Sequence, residues 1–200
     1  IIERFRRKHD CTVVQGWGMT ETSPLGTIFS LKKGMEDYSE EQLTEMQLLQ
    51  GRGVFGIEMC IFDNSGRALP WDGEASGALK VRGPWVAKGY YGLTDVPGDE
   101  GCPVDKNGWF DTGDVASISP DGFLKITDRT KDVIKSGGEW ISSIEIENAA
   151  VNHEDISEAA VIGRYHPKWT ERPLLICVLQ EGKSLSSEEV LEFLKDKLHK

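Results

Sequence analysis

The chain has 200 residues, 38% apolar and 28% charged, an ordinary globular composition that provides for one medium domain or parts of two smaller ones. A formal charge of -10 and a pI near 4.9 exclude nucleic acid or an anionic membrane surface as an electrostatically attracted partner, since either would be repelled. Cys11, Cys60, Cys102 and Cys177 form no Cys-x-x-Cys pair, so neither a structural zinc site nor a dithiol motif is supported, and a reduced cytoplasmic compartment fits best. No apolar run approaches the roughly 20 residues of a membrane span, and Ile1-Ile2-Glu3-Arg4-Phe5 does not have the order of a signal peptide.

In chain order, residues 1–9 read as the end of a basic helix, as if the chain were cut within it, and Cys11-Thr12-Val13-Val14 as a short buried strand feeding the loop Gly16-Trp17-Gly18. Ser39-Glu40-Glu41-Gln42 fits a capping box and predicts a short polar helix over 40–49. From Gly51 to about Tyr91 the pattern is that of a small antiparallel sheet or barrel. Residues 57–62 form a strand, Asp63-Asn64-Ser65-Gly66 a turn, and Leu79-Lys80-Val81-Arg82 alternates faces. Residues 115–118 and 123–126 flank Pro120-Asp121-Gly122 as a hairpin. Beyond the charged stretch Asp128-Arg129-Thr130-Lys131-Asp132 a separate α+β unit is expected. Ser142-Ser143-Ile144-Glu145 reads as a capping box, and Ile141, Ile144 and Val151 as one helical stripe. Residues 174–179 have strand length, and Ser186 with Glu189 caps a last helix whose Val190, Leu191, Leu194 and Leu198 share a face. The predicted fold is therefore α+β and multidomain, with a domain boundary near Asp128.

The chemically informative segment is Gln15-Gly16-Trp17-Gly18-Met19-Thr20-Glu21-Thr22-Ser23-Pro24. Glycines beside an aromatic permit close backbone approach to a flat ligand, and an adjacent hydroxyl and carboxylate can address a phosphate and its magnesium. On residue types alone, a strand end followed by a polar turn is the favoured reading over any particular ligand. His9, His153, His166 and His199 show no metal spacing and no Ser/Asp partner pattern, which leaves them structural or exposed. Trp109, Phe110 and Trp140 read as packing residues.

The stretch Gly16-Trp17-Gly18-Met19-Thr20-Glu21-Thr22 closely resembles the adenine-and-phosphate motif of the adenylate-forming (AMP-binding) superfamily of acyl-CoA synthetases, luciferases and peptide-synthetase adenylation domains. Gly108-Trp109-Phe110-Asp111-Thr112-Gly113-Asp114 resembles its Thr-Gly-Asp motif. Ile126-Thr127-Asp128-Arg129-Thr130-Lys131-Asp132-Val133-Ile134-Lys135-Ser136-Gly137-Gly138-Glu139 resembles its hinge and glycine-turn motif. Three long motifs in the family's order are far more specific than a lone glycine fingerprint. Gly138-Glu139-Trp140-Ile141-Ser142 is most similar to the medium- and long-chain fatty acyl-CoA synthetase branch.

The resemblance implies that residues 1–127 are the C-terminal portion of a large AMP-binding domain, including a β-rich subdomain, and that 128–200 are an incomplete small C-terminal domain. It also implies an acid-thiol ligase using ATP, magnesium and coenzyme A. Such an enzyme converts a carboxylic acid, here a fatty acid, to its acyl-adenylate with release of pyrophosphate, then transfers the acyl group to coenzyme A with release of AMP. It implies that Trp17, between Gly16 and Gly18 and followed by Met19, lies against the adenine. Thr20 bonds the α-phosphate and Glu21 binds magnesium, as suits a hard cation that prefers carboxylate oxygen. Asp114 and Arg129 contact the ribose and Ile126 packs near it, Asp128 is the hinge, and Ser136-Gly137-Gly138 lines the pantetheine channel. Read without the resemblance, Asp114 caps a turn and Arg129 pairs with Asp128 or Asp132 at the surface. Arg164 and Lys168 near His166 are more simply solvated charges than contacts to coenzyme A.

Two family elements lie outside these residues, an upstream phosphate loop with its lysine and a lysine late in the C-terminal domain. Losing preorganised positive charge from such a transition state costs several kcal/mol, roughly 2.7–4 for one donor, so the isolated chain is expected to have little or no ligase activity. Two alternatives stand beside this reading. One is an adenylating enzyme that loads a carrier protein, the other a non-catalytic nucleotide-binding module. The acid's chain length and the oligomeric state are open.

Overall fold

The computed structural model describes residues 1–35, 37–94 and 96–198. It divides into two compact units, Ile1–Ile126 and Thr127–Lys200. The first has α1 (Ile2–His9), β1 (Gly16–Gly18), a 3-10 turn (Thr20–Thr22), β2 (Leu25–Ile28), α2 (Glu40–Gln47), β3 (Arg52–Gly53), β4 (Glu58–Phe62), β5 (Gly77–Arg82) and β6 (Phe110–Ile118). The strand β7 (Leu124–Arg129) runs across the division. The second unit has β8 (Ile134–Ser136), β9 (Glu139–Ile141), α3 (Ser143–Val151), β10 (Ile156–His166), β11 (Thr170–Leu179) and α4 (Ser187–Lys195). The three sheets have the orders β1-β2-β3, β4-β5-β6-β7 and β10-β11-β8-β9, with β1–β2, β2–β3, β4–β5, β5–β6, β10–β11, β11–β8 and β8–β9 paired antiparallel. The fold is α+β, as the sequence predicts.

In the first unit, period-two alternation puts Met59 and Ile61 of β4 and Leu79 and Val81 of β5 on one face. There they meet Phe110, Ala116, Ile118 and Leu124 in one buried cluster, against which Trp17, Met19 and Ile126 pack. The polar helix α2 forms with both halves of its predicted box: Ser39 Oγ accepts from Gln42 N at 3.2 Å, and Gln42 Oε1 accepts from Ser39 N at 2.9 Å. The hairpin at Pro120-Asp121-Gly122 is closed by bonds from Ser119 N to Phe123 O and from Gly122 N to Ser119 O.

One expected strand is not there. Residues 11–15 have no regular structure and Val14 is 48% exposed. The ladder with β2 reaches back only to Gly16, opposite Ile28, with one further bond from Phe29 N to Gln15 O, so the apolar residues before it have no strand to pair with.

In the second unit, α3 and α4 pack on the β10–β11 hairpin through Ile146, Ala150, Ile156, Val161 and Leu194. The stripe expected from Ile141, Ile144 and Val151 is corrected. Because α3 starts at Ser143, its inward positions are Ser143, Ile146 and Ala150, one turn apart, while Ile144 and Val151 are more than two-fifths exposed and Ile141 belongs to β9. Of the box at its start, Ser142 Oγ accepts from Glu145 N at 3.2 Å, and the Glu145 carboxylate makes no return bond among the described residues. In α4, capped reciprocally by Ser186 and Glu189, Leu194 is buried but Leu191 is 67% exposed, and Phe193 packs in the cluster instead.

Candidate functional site

Gly16-Trp17-Gly18 is the strand β1, hydrogen-bonded to β2 with Trp17 opposite Thr27. Its glycines have a local physical cause. A side chain at Gly18 would place Cβ 1.9 Å from Pro24 O, and one at Gly26 would enter the Trp17 indole at 2.4 Å, so the strands close only without them. Trp17 is thereby fixed over Gly26. Its backbone N–H donates to Thr27 Oγ1 at 3.2 Å, and its indole Nε1–H donates to Asp114 Oδ2 at 2.9 Å.

Asp114 comes to that position through an irregularity in β6. The β5–β6 register shifts so that the stretch from Asp111 to Val115 is opposed by the shorter stretch from Lys80 to Ala78, a bulge that re-aims a side chain. Thr112 Oγ1 donates to Leu79 O at 2.9 Å and accepts from Asp114 N at 3.1 Å, while Gly113 N donates to Asp111 Oδ1 at 3.0 Å. The Asp114 residue is only 4% exposed. Two motifs separated by 97 positions are thus joined by one hydrogen bond.

Met19 precedes the 3-10 turn that presents Thr20 and Glu21. Thr22, wholly buried, holds the turn from beneath: its Oγ1 accepts from Met19 N at 3.0 Å and donates to Pro24 O at 2.7 Å. The Ser23–Pro24 peptide is cis. The Thr20 hydroxyl is exposed and has no hydrogen-bond partner among the described residues, and Glu21 is half-buried. Tyr90 Oη donates to Glu21 Oε1 at 2.6 Å. An unengaged hydroxyl and a carboxylate with one further oxygen, side by side, suit a phosphate and the hard cation that travels with it, because magnesium takes one or two carboxylates plus phosphate oxygens. No group of three His, Cys, Asp or Glu side chains that could cage a metal occurs among the described residues. Any magnesium here would therefore complete its shell from a ligand or water.

Ile126, the last residue of the first unit, packs on the same cluster as Trp17 and Met19, and its N–H donates to Gln50 Oε1 at 2.7 Å. The remaining site residues named from sequence lie in the second unit. Asp128 is 1% exposed. Its Oδ1 accepts from Arg129 N at 2.7 Å, and its Oδ2 accepts from Ser143 N at 2.7 Å and Ser143 Oγ at 2.9 Å, at the amino end of α3. The Arg129 side chain is exposed. Ser136 is buried in β8, and Gly137 and Gly138, with φ of 62° and 95°, make the two-residue turn to β9. Gly137 N donates to Trp169 O at 2.9 Å, and a Cβ there would meet the Trp169 ring at 2.6 Å.

Three residues at the site were not singled out in the sequence. Thr27 and Gln50 act through the backbone of β1 and β7: Thr27 Oγ1 donates to Gln50 O, and Gln50 Nε2 donates to Gln15 Oε1 at 3.2 Å. Neither sits in a recognisable pattern. Tyr90 does, since Gly89-Tyr90-Tyr91-Gly92 repeats the glycine-flanked aromatic of the Trp17 segment. Of the histidines, His153 stacks edge-on to Phe193 at 4.7 Å and His166 Nδ1 accepts from Lys168 N at 3.2 Å, whereas His199 lies outside the described residues. Lys168 lies over the Trp169 ring at 4.4 Å.

Comparison with known proteins agrees along the whole length. Residues 1–91 match the family model "AMP-binding enzyme" and residues 145–200 match "AMP-binding enzyme C-terminal domain". The chain is 49% identical to a 3-methylmercaptopropionyl-CoA ligase of Ruegeria lacuscaerulensis, covering 100% of this chain and 36% of that protein. It is 43% identical to a medium-chain-fatty-acid–CoA ligase of Ectopseudomonas oleovorans, covering 99% of this chain and 35% of that one. The chain thus spans about a third of the length of these relatives. Among solved structures, o-succinylbenzoate CoA synthetase from Bacillus subtilis, in complex with its acyl-adenylate intermediate, superposes with a TM-score of 0.73 at 31% identity over 100% of this chain and 37% of that one. With both of its family's models matched in order, and with the Trp-Gly-Met-Thr-Glu and Thr-Gly-Asp segments meeting through Trp17 and Asp114, the chain belongs to the AMP-binding enzyme family.

Proposed function

We propose that the protein to which this chain belongs is an ATP-dependent acyl-CoA synthetase acting on a fatty acid. The supporting observation is the bond between the Trp17 indole and buried Asp114 beside the exposed Thr20 hydroxyl and the Glu21 carboxylate. In this reading the substrate carboxylate oxygen attacks the α-phosphorus of ATP, the bond to the β-phosphate oxygen breaks, and pyrophosphate leaves. The thiol of coenzyme A then attacks the acyl carbon and AMP departs. Thr20 donates a hydrogen bond to an α-phosphate oxygen. Asp114, oriented by the indole, accepts from a ribose hydroxyl, and Trp17 with Ile126 forms an apolar wall beside the nucleoside. Glu21 holds magnesium, which when bound neutralises charge at the phosphates. Arg129 serves the same ribose, and Ser136-Gly137-Gly138 lines the passage for the pantetheine arm. Asp128 is the hinge between a portion of the larger domain (1–127) and the small domain (128–200), since a few element-terminal residues can absorb such a rotation. The reaction is placed in the cytoplasm, in keeping with four cysteines that form no disulfide. The isolated 200-residue chain has little or no turnover.

Incubating the complete protein with ATP, magnesium, coenzyme A and a panel of acids tests this. Medium- and long-chain fatty acids should release pyrophosphate and AMP in step with thioester. ATP-dependent loading of a carrier protein without a coenzyme A thioester, or nucleotide binding without turnover, would overturn it. A second acid belongs in the panel for a specific reason. The relative at 49% identity is a 3-methylmercaptopropionyl-CoA ligase, against 43% for the medium-chain enzyme, so a preference for 3-methylmercaptopropionate would assign that substrate instead.

A further inference from the structure

The segment after β5 grips the Thr20–Thr22 turn at three points. Ser23 Oγ donates to Trp85 O at 2.9 Å, Ala87 N donates to Glu21 O at 2.8 Å, and Tyr90 Oη donates to Glu21 Oε1 at 2.6 Å. Glu21 is therefore held by its backbone and its carboxylate from the same short stretch of chain. That stretch is itself anchored. Val86 packs on the core cluster, and the Tyr90 ring stands edge-on to buried Phe110 with centroids 6.5 Å apart. A phenol fixed in this way donates in one direction only, to one carboxylate oxygen.

We propose that Tyr90 is the positioning residue of the Glu21 carboxylate, fixing its rotamer so that the oxygen left over is aimed at a divalent cation. This rests on the reading of Glu21 as the metal ligand. Carboxylates that ligate metals are themselves hydrogen-bonded, and loss of such a partner typically weakens metal binding about 10- to 100-fold. The phenol makes no contact with the metal, so its effect is on affinity and orientation and not on charge.

Mn2+ binding to the complete protein in the presence of α,β-methylene-ATP, followed by electron paramagnetic resonance, separates the possibilities when wild type, Tyr90→Phe and Glu21→Gln are compared. Tyr90→Phe should weaken Mn2+ about 10- to 100-fold. Its melting temperature and its affinity for the nucleotide without metal should be unchanged, and kcat should be restored at saturating Mg2+. If Glu21→Gln weakens Mn2+ and Tyr90→Phe binds it within about twofold of wild type, against the loss expected above, the Tyr90 proposal fails alone. If Glu21→Gln binds Mn2+ as wild type does, Glu21 is not the ligand and both readings fall.

Discussion

Trp17 does two things that its position in the sequence does not separate. Its ring fills the space above Gly26, and its N–H satisfies a buried carboxylate. The Trp17→Phe variant keeps an aromatic ring but removes the donor together with part of the indole, leaving Asp114 with one bond fewer in a site that is 4% exposed. Loss of one partner of a buried polar pair costs about 1–3 kcal/mol. Denaturant unfolding of Trp17→Phe should show a loss in that range, and a change below about 0.5 kcal/mol, the size of an ordinary surface substitution, would mean that the bond is not holding Asp114. Much of the site at this scale was legible. The hydroxyl, the carboxylates and the aromatic were singled out by the motifs that contain them and not by residue type alone, and of these Trp17 and Asp114 are joined by a hydrogen bond. Tyr90 was not, because the glycine-flanked pattern at 89–92 marks an aromatic but not its partner, and its role arises from a contact with Glu21 across 69 positions.

Among the elements, α3 depends on a residue outside it. The Asp128 carboxylate accepts the first free N–H of the helix, where the helix dipole also favours negative charge. Asp128→Ala strands that donor in a buried position. Hydrogen exchange should show the Ser143 amide and the first turn of α3 losing protection by about 1–3 kcal/mol, and unchanged protection would contradict the assignment. The turn at Asp63-Asn64-Ser65-Gly66 offers a pH test. The Ser65 hydroxyl and then the Arg67 and Ser65 backbone donors hold the Asp63 carboxyl at about 2. Since this value is depressed, the turn's stabilisation is present above the unfolded carboxyl's pKa of about 3.9 and is lost as pH falls through about 2. An NMR titration should find Asp63 in that low range and Ser65→Ala moved up toward ordinary carboxylates. Equal values in both proteins would remove the hydroxyl as the cause.

Elements with paired local signals formed where the sequence put them. Ser39 with Gln42, and Ser186 with Glu189, mark the starts of α2 and α4. The strand misplaced over residues 11–14 shows the limit of that kind of reading. Apolar, β-branched residues resemble a strand, but a strand forms only where a partner lies in register, and β2 offers its register to Gly16–Gly18. For α3 the start at Ser143 follows its Ser142 cap, but the wrong face was chosen, since Ser143, Ile146 and Ala150 are the buried positions while Ile144 and Val151 point outward and Ile141 precedes the helix.

At the scale of the whole molecule, the first unit is an antiparallel β assembly whose core also carries the site. Trp17, Met19 and Ile126 lean on the cluster that contains Ile61, Leu79 and Phe110. Packing and site are therefore coupled, and Ile61→Ala, which empties a fully buried position, should cost about 2–5 kcal/mol and loosen the Trp17 environment, seen as a shift of the assigned Trp17 indole N–H resonance in NMR. A destabilised variant with that resonance unmoved would show the two to be independent. The order of the motifs, and with it the family, was readable from end to end. Which acid is taken was not, because the resemblance assigns the quoted residues to the nucleotide and the thiol arm and none of them to the acid. The central claim is that Glu21 and Asp114 serve one adenylate. The most direct test is to trap acyl-adenylate from α-labelled ATP and acid, without coenzyme A, on the complete protein and on its Glu21→Gln and Asp114→Asn variants. The account expects the intermediate on wild type and a loss of at least about tenfold in its rate of formation for each variant, the size of one charge-assisted hydrogen bond. Formation at the wild-type rate in both variants would contradict it.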